Sequence, residues 1–179
     1  MSELLKNTIR FILFILVQVF ILFKMPPLHR FVTPYLYYLF ILWLPFSLSR
    51  MSITFIGFVF GLCLDYFAKM PGLHAAACTL IAYVRPFVIG LLISQEGADK
   101  NYVSPSIVSM GWAPYATYVL VLTLLHHSYL VLLEWMNLSF ATLVYFIGKV
   151  IASTAISLLL ILLTELLFFR KQKFRTNTI

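Results

Sequence analysis

Long apolar runs cut by short polar loops make up nearly all of this chain, and that pattern leaves it one solvent. Of its 179 residues, 62% are hydrophobic and only 11% are charged. Soluble domains carry about a quarter of charged residues. With a mean hydropathy of +0.98, the chain reads as an all-α integral membrane protein with no room for a separate catalytic head. Six helical spans fit, at about 8–23, 33–46, 52–68, 72–93, 112–133 and 144–169, in a single membrane domain over 1–179. The apolar stretch Phe11–Phe23 follows Lys6 and Arg10 as a signal peptide would. Lys24-Met25-Pro26-Pro27 offers no small-x-small cleavage site, so the stretch is expected to stay as the first span.

Charge sets the orientation. With a cytoplasmic N-terminus, that side holds Lys6, Arg10, Arg50, Lys100, Arg170, Lys171, Lys173 and Arg175, against Lys24, Arg30 and Lys69 outside. Cytoplasmic excess of Lys and Arg predicts both termini inside. The net charge of +7 therefore points to lipid headgroups at span ends, not to nucleic acid. Tyr35, Tyr37, Tyr38 and Trp43 make span two aromatic, as interfacial anchors are. The last apolar run, 138–169, is too long for one straight span. Tilt, a kink near Gly148 or a leading interfacial segment would each accommodate it.

The stretch from Gly57 to Pro86 is the most specific. Two apolar helices meet at a Met-Pro-Gly turn with Pro71 and Gly72, and each carries a charge that hydrocarbon rejects, Asp65 and Arg85. Gly57, Gly61, Asp65 and Lys69 recur every four residues, one slowly winding face with a GxxxG start. His74, Cys78, Ala82 and Arg85 share a face on the next helix. Tight packing of these helices on each other is the plainer expectation; a polar contact surface for another protein's helix is the sharper one. Asp65 and Arg85 differ in depth by roughly 12 Å in an antiparallel hairpin. They are therefore not expected to pair. Asp65 belongs near Lys69 and His74, and Arg85 in the inner half, snorkelling towards headgroups or towards Glu96 and Asp99.

Other polar residues form stripes. Lys149 is expected at the outer interface or paired with Asp65 or Glu134, and Ser153, Ser157 and Thr164 should face the bundle. Thr123, His127 and Glu134 share a side of span five. His126-His127 lacks a second His or Cys cluster to make a metal site, and Cys63 and Cys78 read as small buried hydrophobes. No phosphate loop, H-E-x-x-H or nucleophile elbow is present, so no catalytic residue, metal or cofactor is expected.

The order Gly57-Phe58, Gly61-Leu62, Asp65, Pro71-Gly72, His74-Ala75, Ala82-Tyr83 and Arg85-Pro86 resembles MreD, the small membrane protein of the bacterial rod-shape (elongation) system. Gln18-Val19, Leu44-Pro45 and the basic C-terminal tail support it, and "AYVRP" looks most like the Bacteroidetes-type branch. The resemblance implies a non-enzymatic scaffold in the bacterial cytoplasmic membrane. It implies MreC as partner and, indirectly, MreB, RodA and a class B penicillin-binding protein. It also implies a fold similar to the substrate-binding subunit of energy-coupling-factor transporters. Gly57, Gly61, Asp65, His74, Cys78 and Arg85 are then the expected helix-packing or partner interface, in a homodimer or a heterodimer.

Two other functions compete. A vitamin-type substrate-binding subunit would need a roomy cavity, to which Tyr66, His74, Trp112, His127 and Trp135 could contribute. A small membrane enzyme acting on lipid would need Asp65 and His74 together at a headgroup-accessible cleft.

Overall fold

The computed structural model describes residues 3–25, 32–93, 102–134 and 140–167, with side chains from 143 in the last stretch. Five helices among them are long and apolar enough to cross a membrane. The first, α1 (Glu3–Leu16), continues through a widened turn at Val17–Ile21 and a tightened one at Leu22–Lys24. The others are α3 (Arg50–Ala68), α4 (Leu73–Leu92), α6 (Trp112–Glu134) and α7 (Phe140–Leu167). Two single-turn helices, α2 (Leu39–Leu42) and α5 (Ile107–Met110), lie between them.

The expected second span is corrected. Residues 33–46 form no spanning helix: the chain has no regular structure up to Leu36, turns at Tyr37-Tyr38, coils once as α2 and unwinds again. Proline explains both limits. A residue before proline is pushed out of the α region, and Pro34 and Pro45 do this to Thr33 and Leu44. Fourteen helical residues would also reach only about 21 Å, short of a ~30 Å hydrocarbon core.

Its environment is corrected too. Tyr35, Tyr37, Tyr38 and Trp43 are not interfacial anchors; all are at most 4% exposed, and every residue from Tyr37 to Leu44 is buried. The unwound segment is the core of the bundle. Phe11 meets Phe40 and Phe60 edge-on at 5.5 and 5.0 Å, and Phe14 meets Trp43 at 5.6 Å.

Several helices have a local reason to start or stop. Ser49 Oγ accepts from Ser52 N–H at 3.1 Å and opens α3. Lys69, at φ 56°, closes it in the left-handed conformation. Ser106 and Ser109 cap α5 reciprocally. Gly111, at φ 84°, turns the chain into α6. α4 runs through Pro86 without a break. Within the described part of the long last run, α7 is one unbroken helix of 28 residues. That is about 42 Å, enough to cross with tilt.

A buried polar core around an unwound segment

Asp65 lies in the last turns of α3, beside the start of α4. Its Oδ1 accepts from the His74 N–H and from His74 Nδ1, both at 2.8 Å. Its Oδ2 accepts from the Gly72 and Ala75 N–H groups, both at 3.0 Å. The first N–H groups of a helix lack internal partners and carry the positive end of its dipole. α4 starts on Gly72, which has no side chain to cap with. Asp65 supplies the missing cap from the preceding helix, which is why a carboxylate 4% exposed is tolerated here.

The glycine face of α3 meets α4, not a partner. A Cβ on Gly61 would stand 2.4 Å from Ala75 Cα and 2.7 Å from His74 O, both backbone. One on Gly57 would stand 2.8 Å from Ala82 Cβ and 3.0 Å from Cys78 O. Gly57, Gly61, Asp65, His74, Cys78 and Arg85 are all buried within this one chain. Pro71 and Gly72 form the exposed turn, with Gly72 at φ 90°.

Arg85 does not snorkel. It is 1% exposed, its Nε donates to Tyr118 Oη at 2.9 Å and its Nη2 donates to the Leu44 carbonyl. Tyr118 Oη in turn donates to Leu42 O at 3.0 Å. The guanidinium and the phenol close the Leu42–Leu44 end of the unwound segment, where carbonyls have no helical partner. Glu96 and Asp99, the acids expected near it, lie outside the described residues.

The same service is given along the whole segment. Thr33 N–H donates to Ser153 Oγ and Tyr35 N–H to Ser157 Oγ, both at 3.1 Å. Gln18 takes two groups at once: its Oε1 accepts from Leu36 N–H at 3.0 Å and its Nε2 donates to Pro34 O at 3.2 Å. Gln18 sits in the widened turn of α1, which aims it inward, and it is fully buried. Irregular backbone survives at membrane depth only where protein satisfies it. Here side chains from α1, α4, α6 and α7 do so.

The segment's own polar tips are met as well. Tyr37 Oη lies 2.8 Å from His126 Nε2, and Tyr38 Oη donates to Thr123 Oγ1 at 3.0 Å. Trp43 Nε1–H reaches Glu165 at 2.9 Å and Tyr115 Oη at 3.2 Å, while Tyr115 Oη donates to the same carboxylate. The Arg10 guanidinium stands 5.5 Å above the Trp43 ring. Three histidines and three tyrosines cluster in this core. His74 is 5.6 Å from Tyr37, Tyr38 stacks on His126 at 4.5 Å, and Tyr35 is 5.4 Å from His127, all between ring centroids.

Among the described residues, no group of His, Cys, Asp or Glu is placed to hold a metal ion. Lys149 pairs with Glu134, one of the two partners weighed for it. Ser153 and Ser157 face the bundle, while Thr164 bonds back to Leu160 O at 2.7 Å. The residues suggested for a ligand cavity do not converge: Tyr66 is 82% exposed and Trp112 68%, while His74 and His127 are buried. Trp135 lies outside the described residues, as do His29, Arg30, Lys100 and the basic run from Arg170 to Arg175.

Sequence reasoning missed Gln18, Tyr115, Tyr118 and Glu165 as structural partners. Gln18 and Glu165 carried a signal, being polar residues within apolar spans. No family model, curated protein or solved structure matches this chain.

Proposed function

We propose that this chain is a non-enzymatic scaffold of a bacterial cell-elongation (rod-shape) complex, of the MreD type. It would sit in the cytoplasmic membrane with MreC as its direct partner and with MreB, RodA and a class B penicillin-binding protein beyond it. One observation carries the reading: the residues that bear the resemblance also build and clamp the α3–α4 hairpin. Gly57 and Gly61 let the helices touch, Asp65 caps α4 through Gly72, His74 and Ala75, and Arg85 ties α4 to the core. The ionisable groups of the core hold backbone or each other, which suits a framework.

In this proposal the unwound segment is the second of six crossings, and both termini are cytoplasmic. Arg10, near the start of α1, and Glu165, near the end of α7, both lie on Trp43. These shared contacts support a reading in which the two ends lie at one side of the bundle. Since the glycine face is filled by α4, a partner helix would use outward faces. Phe58 and Leu62 of α3 and Tyr83 of α4 are 43%, 42% and 51% exposed. They border a shallow groove floored by Ala76 and Thr79, small enough for close helix approach.

In-membrane crosslinking tests this. Single cysteines at Phe58, Leu62 or Tyr83, in a chain without Cys63 and Cys78, should trap a single-span protein with an extracytoplasmic domain. Depletion should round the cells. Rod shape kept on depletion, with no such adduct from any outward helix face, would sink the proposal. Thermal stabilisation by a small vitamin would favour the transport-subunit reading instead.

A further inference from the structure

We propose that the helix seated in the α3–α4 groove carries a carboxylate for Arg50, at the end of the groove where Tyr83 lies. The inference rests on the scaffold reading and names the chemistry that its partner needs. It starts from the groove's polarity: apolar along its length, cationic at one end.

A Cβ on Gly61 would meet Ala75, and one on Gly57 would meet Ala82, so α3 and α4 run antiparallel. The groove therefore has its Gly72 end at the hairpin turn and its Tyr83 end beside the start of α3. Arg50 is the first residue of α3 and is exposed. Its guanidinium stands 5.4 Å from the centroid of the Tyr83 ring. Among the described residues, no carboxylate pairs with it. A guanidinium is always charged, and its planar fork matches a carboxylate.

The threonines of the groove ask for no polar partner. Thr54 Oγ1 donates to Arg50 O at 2.8 Å, and Thr79 Oγ1 donates to Ala75 O at 2.6 Å. Polar complementarity is thus concentrated at the Arg50 end. Thr79 lies one turn from Tyr83 on α4. A helix that crosses at Ala76 and Thr79 through a small residue must carry its acid about four to seven positions away from it.

An anionic lipid offers the same charge, but the groove is long for one. Along α4 it runs from Gly72 to Tyr83, about 16 Å, with Arg50 beyond, whereas one leaflet of hydrocarbon is about 15 Å deep. A lipid chain ends near the midplane. A spanning helix follows the groove past it.

Synthetic single-span helices test this against the full chain in phosphatidylcholine nanodiscs. Each probe is Leu-rich with two alanines four apart at its centre, and carries Glu, Gln or Lys one to two turns towards the Arg50 end. Förster transfer from the chain's labelled N-terminus reads association. The Glu probe should bind about fivefold or more tighter than the Lys probe, because opposite charge attracts and like charge repels. Arg50→Glu should reverse that order; an acid at a helix start is favourable, so the fold should hold. Thr79→Leu should weaken all three probes alike. Equal binding of the probes, an order unchanged by Arg50→Glu, or binding indifferent to Thr79→Leu would each overturn the proposal. So would discrimination that vanishes with one-third phosphatidylglycerol, since a headgroup would then be what Arg50 holds. Failure here with cellular adducts at Phe58, Leu62 or Tyr83 intact removes the acidic match and leaves the scaffold reading standing.

Discussion

The α3–α4 hairpin and the unwound segment both keep polar groups in an apolar solvent, but they draw on different parts of the chain. In the hairpin, the donors to Asp65 lie seven, nine and ten positions away. In the segment, Gln18 lies 16 and 18 positions from the groups it serves, and Arg85 lies 41. Tyr118 lies 76, Ser153 120 and Ser157 122. A hairpin of this kind can form as soon as its two helices meet. The segment can be satisfied only when α1, α4, α6 and α7 are all in place. Local contacts precede distant ones because loop closure is costly.

The largest effect should come from the hairpin. Asp65→Ala leaves the α4 N-terminus uncapped and His74 Nδ1 without its acceptor, inside the protein. A buried donor left without its partner costs about 1–3 kcal/mol, and this change strands several at once. Unfolding in detergent should show it, and Asp65→Asn should recover part, because its oxygen still accepts. If Asp65→Ala were neutral, the clamp would not be what holds the two helices. Next is Gly61→Ala. Its Cβ would meet backbone of α4 at 2.4 Å, and backbone cannot rotate aside. Overpacking costs about 1–3 kcal/mol, and this site should reach the upper end.

Gln18→Leu probes the other region. It removes the acceptor of Leu36 N–H and the donor to Pro34 O while keeping the volume. Unsatisfied buried backbone costs about 1–3 kcal/mol. The comparison predicts where the loss appears: amide exchange should quicken over residues 33–38 and stay unchanged in the hairpin. Uniform quickening would mean that the two regions form one cooperative unit.

This division also explains what the amino-acid order could reveal. Periodicity found the long helices, and spacing found the Gly57–Gly61–Asp65 face and the His74–Arg85 face, because helical neighbours are three or four residues apart. Depth arithmetic separated Asp65 from Arg85, and the structure gives them different partners. Residues 33–46 misled because their composition is as apolar as a span. Pro34 and Pro45 were the visible warning, and the tyrosines looked like interfacial anchors. Which hydroxyl meets which carbonyl across 76 positions is a property of the assembled bundle. Arg85, Tyr118 and Leu42 carry no mark of it in order or spacing.

The smallest effect separates core from lipid-facing surface. Tyr66 is one residue from Asp65, yet it is 82% exposed, and Trp112 opens α6 at 68%. Helix geometry requires such contrast, because adjacent residues are about 100° apart. Exposed positions away from caps and buried networks change stability by less than about 0.5 kcal/mol. Tyr66→Ala should therefore unfold like the parent in detergent, beside an Asp65→Ala variant that does not. A large loss at Tyr66 in the isolated chain would mean that this face packs on protein even there. A second copy would then cover the outside of the hairpin, and crosslinked dimers through position 66 would reveal it.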